Sequence, residues 1–95
     1  MFNHTPSGFH MTFANGYTLS VQWGPGNYCD NKGARYGHAA PESRTAEVAV
    51  WDTNDEWVKL SENDNVRGWQ TVEDVVTLMA VVASLKPGTT VIPPD

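Results

Sequence analysis

Cys29, with Asp30 beside it and His38 nine residues further on, is the chain's candidate for covalent chemistry. A histidine that takes the proton of a thiol makes a thiolate nucleophile. The run around them carries no nucleophile elbow and no protease signature. A structural thiol is therefore the better reading than a Cys29/His38 hydrolase, and the chain is expected not to be an enzyme. The same residues supply the softer metal ligands. His4, His10, Cys29 and His38 stand 6, 19 and 9 positions apart. Zinc sites ask for paired ligands at short spacing, which these are not. Asp52–Glu56 and Glu62–Asn65 are rich in oxygen ligands but lack the glycine and distal glutamate of a calcium loop. No metal and no cofactor are expected.

Gly24-Pro25-Gly26 follows an apolar run, as a phosphate loop would. It lacks the third glycine of a dinucleotide fingerprint and any Gly-Lys-Ser/Thr ending. No helix opens behind it to lend a positive dipole. A looser ligand role stays open for the 24–44 segment. Tyr28, Lys32, Arg35, Tyr36 and His38 put two cations and three rings into it, enough to hold a small anion or nucleotide by stacking and charge.

The elements that would carry these residues are legible from alternation. Phe9, Met11 and Phe13 alternate with polar residues, as do Tyr17, Leu19 and Val21. Between them lies Asn15-Gly16. A two-residue turn there would split the apolar side chains between both faces of the ribbon. A three-residue loop, Ala14-Asn15-Gly16 with Gly16 left-handed, brings Phe13 opposite Tyr17, Met11 opposite Leu19 and Phe9 opposite Val21. Burying each large apolar side chain is worth about 1.5–3 kcal/mol, so this register wins. A second hairpin is expected over 45–61, with Trp51 opposite Trp57 across an acidic turn. Val48, Val50, Val58 and Leu60 then face the core, while Glu47, Ala49, Trp51, Trp57 and Lys59 face away.

Residues 1–8 read as a flexible lead-in and 24–44 as a long loop, with 61–70 a second polar loop. Thr71 caps a helix over 71–86, with Glu73 and Asp74 in its first turn and Lys86-Pro87-Gly88 as its stop. Val72, Val75, Val76, Leu78, Met79, Val82 and Leu85 cover at least half its circumference, more than the ~100° stripe a surface helix needs. Either the tail, with a short strand at 89–92, and a loop cover that excess, or a second copy does, as a homodimer. Trp69 reads as a lid on the core. The fold expected is α+β: one domain, a four-stranded, mainly antiparallel sheet of two hairpins with the C-terminal helix on one face.

Charge narrows the partners. Six Lys and Arg stand against eleven Asp and Glu, a net −5. A protein that binds through phosphates wants a basic surface, so direct nucleic-acid or anionic-membrane binding is disfavoured. No apolar stretch approaches a membrane span. The opening residues show no signal-peptide core and there is one cysteine, so a reducing, cytoplasmic setting is expected. An acidic chain suits a basic surface on another protein. Trp51 and Trp57, flanked by Asp52, Asp55 and Glu56, are the candidate contact. Cross-strand tryptophans stiffen a hairpin, but they also anchor interfaces.

The run from Asn15 to Cys29, Asn-Gly-Tyr-Thr-Leu-Ser-Val-Gln-Trp-Gly-Pro-Gly-Asn-Tyr-Cys, resembles segments of small uncharacterised bacteriophage-encoded proteins. The resemblance spans roughly residues 13–31, about a fifth of the chain. It implies a phage accessory protein that inhibits a host or defence factor by binding it, in the host cytosol. It carries no catalytic motif, so it assigns no residue a role.

Overall fold

A computed structural model describes residues 1–33 and 42–93. Five strands form one antiparallel meander: β1 (Phe2–Thr5), β2 (Gly8–Thr12), β3 (Thr18–Gln22), β4 (Ala46–Trp51) and β5 (Val66–Gln70). The helix α1 (Val72–Ala83) follows directly. The class is α+β with an antiparallel sheet, as the sequence predicts, but with five strands rather than four.

The first hairpin has the predicted register. Phe9 pairs with Val21 and Met11 with Leu19, and the Phe13 amide donates to the Tyr17 carbonyl. Gly16 is left-handed, φ 94°. Tyr17, Leu19 and Val21 are buried, and with Val48, Val50, Val58 and Leu60 they form the floor on which Val75, Leu78 and Val82 of α1 pack. Phe9, Phe13 and Trp23 pack at its margin. The spacing of 75, 78 and 82 is one helical face, so sheet and helix bury their stripes against each other.

The count differs because two strands are added and one is lost: β1 and β5 form, while 57–60, the expected second arm of the second hairpin, makes only isolated bridges, Trp57 to Trp51 and Lys59 to Val91. Residues 1–8 are not a lead-in. Phe2–Thr5 form an edge strand on β2, with Asn3 opposite His10 and Thr5 opposite Gly8. An edge strand exposed on both faces has no apolar alternation to betray it. Pro6 and Ser7 make the turn, and Gly8 is needed beyond it because a β-carbon there would strike the Val21 carbonyl oxygen. Likewise, 61–70 is not all loop. Trp51 does bridge Trp57, and the Val58 amide donates to the Val50 carbonyl at 2.8 Å. The chain then leaves the sheet, returns at Val66, and completes the same edge of β4 as β5. The pairing is interrupted by a bulge where Gly68 and Trp69 together face Glu47, between the Ala46–Gln70 and Val48–Arg67 pairs. A bulge shifts the alternation by one residue, which is why β5 has no period of two.

The helix begins where expected. Thr71 Oγ1 accepts from the Asp74 amide at 3.1 Å, and Asp74 Oδ2 accepts from the Thr71 amide at 2.9 Å, a closed capping box. It ends at Ala83 rather than 86, with Ser84 as its cap. The tail does add a strand-like contact: Val91 bridges Lys59 in parallel, and Ile92 is buried in the core. The tail thus covers part of the helix excess. Val72 and Val76 remain 66% and 58% exposed. They border a groove of about 390 Å³ also lined by Phe9, Trp23 and Met79.

Candidate functional site

The sheet face opposite the helix divides into two halves of different chemistry. Over β1 to β3 it is a hydroxyl and amide lattice. Thr12 and Thr18 hydroxyls are 2.9 Å apart, Thr5 donates to Gln22 Oε1 at 2.9 Å, and Gln22 donates to Ser20 at 3.4 Å. These groups satisfy one another, and Thr18 and Ser20 are buried. Over β4 and β5 the face is aromatic.

One aromatic group sits at the turn end. Trp51 ends β4 and its ring centroid lies 5.5 Å from that of Trp57, the planes inclined at 48°. His10, from β2, stands edge-on to Trp51 at 5.0 Å and 88°. The sequence-based placement of both indoles away from the core is thus correct. Trp51 is half-buried between its neighbours, while Trp57 is 50% exposed. The acidic turn is divided in its duties. Asp52 Oδ1 accepts from the Asn54 and Glu56 amides at 2.8 and 3.0 Å, so Asp52 shapes the turn. Asp55 takes a left-handed conformation, φ 61°. The Asp55 and Glu56 side chains are exposed.

The second aromatic group lies along the same edge and was not anticipated. Trp69, expected to be a core lid, is 53% exposed. The bulge turns it outward, and it packs against Tyr28 at 5.7 Å and 38°. The Trp69 amide donates to the Tyr28 carbonyl at 2.7 Å, so the loop after β3 pairs locally with β5. Glu47 ties that loop down, accepting from Asn27 Nδ2 at 3.2 Å and from the Tyr28 amide at 3.1 Å. Gly68 permits the approach, since a β-carbon there would lie 2.6 Å from Tyr28 Cβ. Glu47, opposite the bulge, and Trp51 are four residues apart on β4. The two aromatic groups are therefore separated by about 13 Å along the strand. The bulge was the missing signal; Gly68 beside Trp69 is its trace in the sequence.

The loop residues behave differently from the indole pair. Lys32 Nζ lies 4.6 Å from the centre of the Tyr28 ring. Arg35, Tyr36 and His38 lie outside the described residues. Cys29 is 1% exposed, its Sγ 3.7 Å from the Gly24 carbonyl oxygen, so the thiol is packed inside the loop. Among the described residues no three His, Cys, Asp or Glu side chains converge on a point that would hold a cation. Among them, too, no helix is long and apolar enough to cross a membrane.

No family model matches the chain, and neither any curated protein nor any solved structure matches it.

Proposed function

We propose that this chain is a non-enzymatic protein-binding module that docks on a basic surface of a partner protein. Trp57 and Trp51 are the anchor, and Asp55 and Glu56 the charged rim, with Asp52 holding the turn in shape. The observation that supports this reading is the half-exposed Trp57, held face-to-tilted-face on Trp51 at 5.5 Å on the side away from the core. The core is already complete without it, and its indole is pre-ordered by its neighbour. Such rings contribute most when a partner covers them, because little side-chain freedom is then left to lose. A net charge of −5 steers the encounter toward a basic partner. The phage resemblance extends the reading: the partner would be a host or defence factor that the module blocks by occupying such a surface in the cytosol.

The test is a double substitution, Trp51→Ala with Trp57→Ala. It should leave the core and the helix intact, and weaken the partner complex. A folded double variant that binds with undiminished affinity would remove the proposal.

A small-anion role for the 24–44 loop has less support. The Asn27 side-chain amide and the Tyr28 main-chain amide already serve the Glu47 carboxylate, and Lys32 rests on the Tyr28 ring.

A further inference from the structure

Trp69 is held in an unusual way. Its φ is 49°, in the left-handed region that bulky L residues avoid. That conformation carries the indole outward to half exposure, beside Tyr28. A side chain with no contact to make there would be better replaced by glycine, so the outlier points to a use for the ring.

The ring forms one wall of a pocket of about 290 Å³, whose other lining residues are Tyr28, Asp64, Val66 and Gly68. Asp64 is fixed by its backbone. Its amide donates to Ser61 Oγ at 3.1 Å, and its carbonyl accepts from the Leu60 amide at 3.0 Å. Its carboxylate takes no hydrogen bond from any described residue, and the residue is exposed. The half-exposed Trp69 face, a glycine floor and a carboxylate that takes no hydrogen bond among the described residues form a receptor for a cation with a flat or apolar body, with Tyr28 as the side wall. The Lys32 ammonium over the Tyr28 ring is an example of the same attraction within the chain.

We propose that Tyr28, Trp69 and Asp64 form a pocket for an arginine side chain of the basic partner. The guanidinium plane stacks on the Trp69 indole, and its fork of N–H donors meets the Asp64 carboxylate. A lysine ammonium fits less well, since it is more strongly hydrated and lacks a stacking plane. The pocket lies about 13 Å from the indole pair along β4, within one docking footprint. That arginine comes from a protein partner rests on the function proposed above. The chemistry of the pocket is testable without the partner.

The experiment titrates N-acetyl-arginine amide into the full chain and follows the Trp69 indole N–H and the Asp64 amide by NMR. N-acetyl-citrulline amide, the neutral analogue of similar shape, is the control. Arginine is expected to give saturable shifts at Trp69 and Asp64 in the millimolar range, leaving Trp57 still. Citrulline should bind at least about five-fold more weakly. Asp64→Asn should erase that difference, and Trp69→Gly should abolish the response while keeping the spectrum of a folded chain. Equal responses to both probes, shifts centred on Trp57, or no saturation up to about 100 mM would each overturn the proposal. None of these results touches the indole-pair docking, which is read from the partner complex instead.

Discussion

Asn15, at the tip of the first hairpin, donates its side-chain amide to the Val82 carbonyl at 2.8 Å, joining residues 67 positions apart. The same amide reaches the Leu85 carbonyl at 3.0 Å, and its Oδ1 accepts from the Tyr17 amide at 3.1 Å. The last turn of α1 has no basic residue. The Ser84 and Leu85 amides and the Ser84 hydroxyl serve the Ala80, Val81 and Val82 carbonyls locally, and Asn15 adds a donor from another element, to Val82 and to Leu85 beyond it, which pins the helix end to the sheet. Tyr17 strengthens the pin, its hydroxyl donating to the Thr89 carbonyl at 2.6 Å.

Asn15→Ala should therefore destabilise the fold by about 1–3 kcal/mol, the range for leaving a partly buried acceptor, here the Leu85 carbonyl, without its donor. Urea unfolding measures this. A loss below about 0.5 kcal/mol would mean that water replaces the amide freely.

Trp69→Gly should change stability by less than about 1 kcal/mol. Glycine relieves a left-handed strain of about 1–2 kcal/mol, against lost stacking of about 0.5–1.5 kcal/mol and a freer unfolded chain. Leu19→Ala, by contrast, opens the core and should cost about 2–5 kcal/mol. If Trp69→Gly cost as much as Leu19→Ala by the same urea titration, the ring would be a core element after all.

Gly68→Ala should push Tyr28 off β5, because a β-carbon would meet Tyr28 Cβ at 2.6 Å and its carbonyl oxygen at 3.0 Å. The expected outcome is loss of the Tyr28–Trp69 contact, seen as a change in Trp69 fluorescence, and weaker arginine binding. An unchanged spectrum would show that the loop approaches β5 less closely.

The capping box gives stability a pH dependence. The Asp74 carboxyl is held below its ordinary 3.8, first by the Thr71 main-chain amide, then by the Thr71 hydroxyl, with the Arg67 charge adding a little and desolvation opposing. A depressed folded value stabilises the fold above the unfolded value. The contribution is lost as pH falls through 3.8 toward the lower folded value. Asp74→Asn should flatten the acid limb of a stability-against-pH curve there. An identical curve for the variant would contradict the linkage.

The sequence revealed the parts of this fold that bury alternating stripes. Phe9 to Val21, Val48 to Leu60 and the 75-78-82 face of α1 each carry a period set by one-sided burial. Thr71 announced the helix start because its capping box is local. β1 was hidden because both its faces are wet and only its main chain is used. β5 was hidden because Gly68 and Trp69 share one partner, breaking the alternation. Of the candidate site, the indole pair followed from register alone. The Tyr28–Trp69 group did not, since it depends on a loop crossing to a bulge 41 residues later. Sequence spacing carries no signal for such a meeting.

The proposed docking of the aromatic face on a basic partner depends on Trp57 and Trp51. Its most direct test is the dissociation constant of the complex formed by the native chain, compared with that of the Trp51→Ala, Trp57→Ala variant at equal helix content. Anchor residues of this kind predict a loss of at least about ten-fold, while lower salt tightens both complexes, since the Asp55 and Glu56 rim is common to them. A partner held as tightly by the variant as by the native chain would rule out the indole pair as the anchor.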